Sequence, residues 1–348
     1  RRIPPRTAAQ RRAGLDRALA RAAALGITTL HEANANEPML AAYRSAEADG
    51  ALTARVIVAL ETAPDRGVGQ VADLVALRDA NTGALVRPVA AKIFMDGVIE
   101  GGTAALLEPY VDRPDFRGEL RWPQDVLTGT VAALDEAGFK VHFHAIGDRA
   151  IRAAFDAIED ANVLDDGAGP RPILAHIQLF HPDDIPRFAA LGAVASFQPL
   201  WAYADTYITE LTEPRLGAER SRWLYPIKSV VDTGAIVAGG SDWSVTAMNP
   251  LQAIEVGITR RAPDAADGPA WIPEERVDLE TMIRLYTVNG AAAGDLEAET
   301  GSITVGKSAD LVLLDRNLFE IPATGISDAR VRLTMLAGRI VHGDEPDR

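Results

Sequence analysis

The chain contains no cysteine. Disulfides and thiolate metal sites are therefore excluded, and any metal must rest on histidine, carboxylate or a modified lysine. Aromatic residues make up only 6% of the chain, and alanine is abundant, which favours helix-rich α/β packing over an all-β sandwich. Positive charge is also short: 35 Lys and Arg stand against 49 Asp and Glu, a formal net charge of −14. Phosphate backbones need a basic surface, so nucleic acid is not expected as a partner. No apolar run approaches the roughly 18 residues of a membrane span, so no membrane partner is expected either. No G-x-G-x-x-G follows any apolar run, which removes the usual mark of a dinucleotide site. Methionine is missing from the first position, which is Arg1. A cytoplasmic location is expected, with an upstream signal peptide left open.

What is present is a large store of apolar residues, 47% of 348, enough for one α/β barrel with an appendage. Short apolar runs alternate with helical stretches. Residues 27–31, 55–60 (RVIVAL), 88–95 (PVAAKIFM), 140–144 (KVHFH), 171–176 (RPILAH), 193–197 and 235–241 (AIVAGGS) read as strands. Helices are expected at 68–81, 125–137, 149–161 and 182–191, within 221–233, and before Gly26. Seven β-then-α units with apolar strands predict a parallel sheet covered by helices, one strand short of a closed (β/α)₈ barrel. After about Gly294 the pattern changes to alternation with turn glycines, in 300–315 and 331–342. That predicts a small β-unit at 294–348 beside a barrel at 1–293.

The chemistry-bearing residues fall at strand ends. His144 and His176 each close a predicted strand, and Asp242 follows AIVAGGS directly. In a barrel the C-terminal strand ends converge on one face, so these three form a candidate ligand set for a divalent metal such as zinc. Each taken singly has an ordinary reading as a hydrogen-bonded strand-end residue; the repetition is what points to a site. His142, two residues before His144, faces the same side one pleat deeper, where it would pack behind the ligands. Lys92 lies inside an apolar strand, which is costly unless it is paired or modified. His31 ends a strand and is a candidate for substrate contact. His181 and His342 read as structural. The loops 100–110, 198–207 (with Trp201 and Tyr203) and 243–248 (with Trp243) are the expected substrate-choosing segments.

Several of these segments together resemble the amidohydrolase superfamily: KIFMDG at 92–97, GGTAALLEPY, VHFHAIGDRA, AHIQ, SFQP, GSDWSV and the ending TGSITVGKSADLVLLDRNLFE. The pattern is most similar to the YtcJ-like branch, which includes enzymes similar to N-substituted formamide deformylase, and it runs from about Leu25 to Val341. The resemblance implies a TIM-type barrel with part of a small β-sandwich, and Lys92 as a carboxylated lysine bridging two metals where two are bound. It also implies His144 and His176 as metal ligands, and Asp242 as ligand and proton shuttle. Asp96 and Asp148 would support the ligand-bearing loops from behind. The family's strand-1 H-x-H pair has no counterpart here, so the sequence reads as a fragment lacking that strand. An open sheet edge would invite homo-oligomer formation.

The expected activity is metal-assisted hydrolysis of a non-peptide C–N amide bond in a small molecule, falling below about pH 6 as imidazoles protonate. Lactone or phosphoester cleavage at the same site is the alternative within the enzyme class. A non-catalytic chain with an incomplete site is the alternative outside it.

Overall fold

The computed structural model describes residues 4–163, 169–263, 265 and 267–343. The first strand, β1 (Thr29–Ala35), is preceded by α1 (Ala8–Ala24) and followed by α2 (Glu37–Ala48). A reciprocal cap starts α1: Gln10 N donates to the Thr7 hydroxyl at 3.2 Å, and Thr7 N donates to the Gln10 side chain at 2.9 Å. Then come β2 (Arg55–Glu61), α3 (Val71–Asn81), β3 (Val86–Phe94), α4 (Gln124–Glu136), β4 (Lys140–Ala145), α5 (Asp148–Asp160) and β5 (Ile173–His176). After β5 follow the short α6 (Arg187–Ala190), β6 (Val194–Phe197), α7 (Glu213–Leu216), α8 (Ala218–Ser221), α9 (Ile227–Val231) and β7 (Val237–Gly239). Finally α10 (Pro250–Thr259), α11 (Leu279–Tyr286) and α12 (Val288–Ala293) lead to β8 (Leu311–Leu314), β9 (Val331–Leu336) and β10 (Arg339–His342).

All seven expected parallel strands are present, paired in sequence order β1 to β7. Every pair is parallel because each strand is followed by a crossover through helical chain. β2 is buried at every position but Glu61, as a strand covered on both faces must be. The helices supply that cover. Leu127, Val131 and Leu134 of α4 and Ile151, Phe155 and Ile158 of α5 belong to one core cluster with Val141 and Phe143 of β4.

Six of the seven strands contribute to the wall of one cavity of about 1570 Å³, through Leu30, Lys92, His142, Ala175, Ser196 and Ala238 among others. The sheet therefore curls around a common interior. Among the described residues β1 and β7 do not pair with each other, so the sheet is seven curled parallel strands and not a closed eight-stranded barrel.

The C-terminal unit is a three-stranded antiparallel sheet in the order β10-β9-β8. It packs against α1, where the Thr334 hydroxyl donates to Ala23 O at 2.7 Å. The small β-unit expected there is this single antiparallel sheet. The last five residues of the expected unit lie outside the described ones. Charged anchors tie the neighbouring loops to the first residues of the parallel strands. Arg55, which opens β2, pairs with Asp310; Arg87 of β3 grips Glu299 through two bonds of 2.7 and 2.8 Å; and Lys140, which opens β4, meets Asp295 at 2.9 Å. These contacts lie at the N-terminal strand ends, which leaves the C-terminal ends as the open face. No described helix is long and apolar enough to cross a membrane. The helices α2, α7, α8, α10, α11 and α12 were not expected from the sequence, all but α2 being ten residues or shorter.

Candidate active site

The open face collects the predicted residues. Lys92 is the seventh residue of β3, and its side chain is buried in the cavity wall. It is flanked by Phe94, whose ring centroid lies 5.0 Å from Nζ. Burial lowers the Lys92 ammonium to about 8, against the pull of the Asp242 carboxylate, which favours the charge. The neutral amine that lysine carboxylation requires is thus within reach near neutral pH.

His144 and His176 end adjacent strands, and their rings stand edge to face with centroids 4.6 Å apart. Each ring is fixed through one nitrogen. His144 Nε2 lies 3.0 Å from Gly97 O, which can only accept, so the proton is on Nε2 and Nδ1 keeps its lone pair. Gly97 has no room for a side chain, because a Cβ there would lie 2.1 Å from Thr103 Oγ1. His176 Nδ1 lies 2.9 Å from Gln198 Oε1, which leaves Nε2 as the free donor atom. Trp201 stacks on the His176 ring at 5.7 Å, nearly parallel, and anchors its own indole N–H on Thr246 at 3.2 Å. His176 (φ 74°) and Asp242 (φ 50°) both adopt left-handed backbone, a conformation that costs a non-glycine residue energy and recurs at sites where geometry is imposed.

The imidazoles are held neutral. Burial, together with the Lys92 charge, lowers His144 to about 4; burial also holds His142 and His176 well below the ordinary imidazole value, with Lys92 among the causes for both. His31 lines the same cavity beside His142, ring centroids 6.3 Å apart, and is lowered as well by enclosure and by Lys140. Its exposed face lines that cavity. Burial raises the Asp242 carboxyl and Lys92 lowers it.

Asp96 sits directly behind this wall. It is fully buried and accepts from three backbone N–H groups: Ile146 at 3.0 Å, Gly147 at 2.9 Å and Ala105 at 2.9 Å. Burial pushes its carboxyl up to about 7 in spite of those donors, and its Oδ1 lies 3.7 Å from His144 Nε2. Asp148 does not reach the cavity. At the start of α5 its Oδ1 accepts from Leu107 N and Arg149 N, both at 2.9 Å, and so ties down the 103–107 loop. Trp243, 47% exposed, stands in the cavity wall. His181 accepts from Asp183 N at 3.3 Å and caps a short helical turn, and His342 ends β10.

The four predicted ligands therefore share one cavity, and two of them are in ring contact. Among the described residues, however, no three His, Asp or Glu side chains converge closely enough to cage a metal. The donor set offers two imidazole nitrogens left free by the hydrogen bonds above, a buried lysine and one carboxylate, donor types that divalent cations take. The sequence reading did not single out Gln178, Gln198, Glu32, Glu100 or Tyr225, all of which line the cavity. Two of them stood in motifs already noted, AHIQ and SFQP, at strand ends beside the histidines.

The profile of the amidohydrolase family matches residues 2–342. The chain is 29% identical over 262 residues to the putative amidohydrolase YtcJ of Bacillus subtilis (strain 168), covering 75% of this chain and 48% of that protein. It is 26% identical over 201 residues to an N-substituted formamide deformylase of Arthrobacter pascens, covering 58% of this chain and 36% of that protein. The crystal structure of an uncharacterized metal-dependent hydrolase from Pyrococcus furiosus superposes with a TM-score of 0.72 at 26% identity, covering 87% of this chain and 59% of that one. The chain spans about half the length, or less, of the curated relatives it matches.

Proposed function

Because the chain belongs to the amidohydrolase family, we propose that it is a metal-dependent hydrolase that cleaves a non-peptide C–N amide bond of a small molecule. One observation carries the reading. Lys92, His144, His176 and Asp242, from four different strand ends, line a single cavity, and the two imidazoles each present one unprotonated nitrogen. His144 through Nδ1, His176 through Nε2, the Asp242 carboxylate and a carboxylated Lys92 would hold one or two divalent cations, zinc being suited to such donors. A cation there lowers the pKa of a coordinated water from 15.7 to roughly 7.

The residues of the chain do the rest. Asp242, its carboxyl raised by burial, takes a proton from the attacking water and returns it to the leaving nitrogen, the basic atom that needs it. Gln198 and Gly97 keep the two imidazoles in the tautomers that aim a lone pair inward. Trp201 covers His176 and excludes water from its face. The similarity to a deformylase of N-substituted formamides supports an amide over an ester or phosphoester. We place the residues in a TIM-type barrel, of which this chain supplies seven strands.

A second reading is favoured by one observation, the absence of a ready three-residue cage among the described residues. In it the folded chain by itself holds no metal. Elemental analysis after zinc loading separates the two. One or two zinc ions per chain, lowered by His176→Ala and with amide hydrolysis abolished in Asp242→Asn, supports the hydrolase. No retained zinc in the parent chain supports the second reading.

A further inference from the structure

The cavity wall is lopsided in charge. Its carboxylates are Glu32, Glu100, Asp205, Asp242 and Asp310, whereas Lys92 is the single Lys or Arg side chain among the described lining residues. Asp310 is neutralised by Arg55, Glu32 accepts from the Tyr43 hydroxyl at 2.7 Å, and Asp242 shares the ligand corner with Lys92. Glu100 and Asp205 remain, and among the described residues neither makes an ion pair. Their partners are neutral donors. Glu100 Oε1 accepts from Gln178 Nε2 and Thr212 Oγ1, both at 2.8 Å, and Asp205 Oδ1 accepts from Ile208 N at 2.8 Å. These bonds fix the two carboxylates in place without cancelling their charge.

The surroundings of that pair are aromatic. Trp201, Tyr207 and Tyr225 line the same cavity. Tyr225 is only 2% exposed, and its hydroxyl has no hydrogen-bond partner among the described residues. Tyr225 N donates to Gln178 O at 2.9 Å, and Thr212, which holds Glu100, ends the helical turn whose Ile208 N is held by Asp205, so backbone and side-chain bonds bring the three residues together. Burial, with the charges of Glu100 and Asp205 adding to it, pushes the Tyr225 hydroxyl well above its ordinary pKa. Tyr225 lines the cavity, and a group there can donate to its hydroxyl or accept from it. Ring faces attract cations, and two carboxylates held by neutral donors attract them more strongly. The same wall repels a carboxylate or phosphate, for which it offers no arginine.

We propose that Glu100 and Asp205, with the rings of Trp201, Tyr207 and Tyr225, form a subsite for an ammonium-bearing substituent, so that the preferred substrates are amides of cationic amines. Glu100 lies on the loop after β3, and Gln178, which holds it, lies two residues beyond His176, so the subsite adjoins the ligand corner. The inference rests on reading the cavity as the substrate site; it is independent of whether hydrolysis occurs.

Binding therefore tests it. Isothermal titration at about 0.15 M salt, where long-range attraction by the net negative charge is screened, would compare benzylammonium, benzyl alcohol and benzoate on the same chain. Benzylammonium should bind at least about tenfold more tightly than benzyl alcohol, and benzoate more weakly than either. In Glu100→Gln/Asp205→Asn that preference should disappear. The inference is overturned if benzylammonium binds the parent no better than benzyl alcohol, or if the preference survives in the double variant. Should the double variant unfold, Glu100→Gln alone decides, since a glutamine oxygen still accepts from Gln178 and Thr212 and only the charge is lost. A chain that binds benzylammonium selectively yet cleaves no amide would refute the hydrolase reading and leave this one standing.

Discussion

Gln198, at the end of β6, holds the Nδ1 proton of His176, at the end of β5, across 2.9 Å. The bond fixes the tautomer of a residue whose other nitrogen faces the cavity, and Trp201 stacks on the remaining face of the ring. Neighbouring strands of a parallel sheet bring such pairs together at their C-terminal ends, because their residues advance side by side.

Replacing Gln198 should loosen that arrangement without removing a ligand. Gln198→Leu is expected to weaken zinc binding about 10–100-fold, the usual effect of losing a histidine's outer partner. Gln198→Glu, which keeps an acceptor, should recover most of it. Competition against a chromophoric chelator measures both. Parent-like affinity in Gln198→Leu would mean that His176 is not oriented by this bond or is not a ligand.

The neutral histidines predict a pH dependence. His31 and His144 protonate only near pH 4 in the folded chain, against about 6.5 when exposed. Between those values the unfolded chain takes up protons that the folded chain refuses. Stability of the metal-free protein is thus fully present above pH 6.5 and is lost as pH falls toward 4, by of order 1–3 kcal/mol for the enclosed His144 and by less for His31, which water screens. Urea titrations with chelator present, at pH 7 and pH 4.5, should show a smaller loss for His144→Gln than for the parent. Equal losses would show that His144 does not carry the effect.

The anchor between β2 and the C-terminal segment predicts a large stability effect. Arg55 and Asp310 are both almost wholly buried, with side chains 7% and 3% exposed, and Asp310 also accepts from Ala337 N at 2.8 Å. Arg55→Met leaves that carboxylate buried without its cation, and a loss of about 3–5 kcal/mol is expected. Urea unfolding gives the figure. A loss below about 1 kcal/mol would place the pair among weakly contributing surface bridges.

The strands were legible in the residues because burial on both faces writes a continuous apolar run, as in RVIVAL, and because a glycine stops the preceding helix, as Gly138 does before β4. The helices α10 to α12 were less so. Their signal is a periodicity spread over short segments such as LETMIRLY, which only the packed core resolves into one buried side. At the candidate site the same division appears. His144, His176 and Asp242 announced themselves by recurring at strand ends, and Lys92 by sitting charged in an apolar run.

By itself, then, the sequence determined the parallel strands, their order of appearance and the donor atoms they carry, because those follow from local patterns of burial and turn. The tertiary structure alone decided that Gly97 and Gln198 set the tautomers, that enclosure holds the histidines neutral, and that Glu100 meets Gln178 and Thr212 beside Tyr225. Those outcomes depend on distances between segments far apart in the chain, and on how much water the surrounding fold removes, neither of which any local pattern of residues encodes.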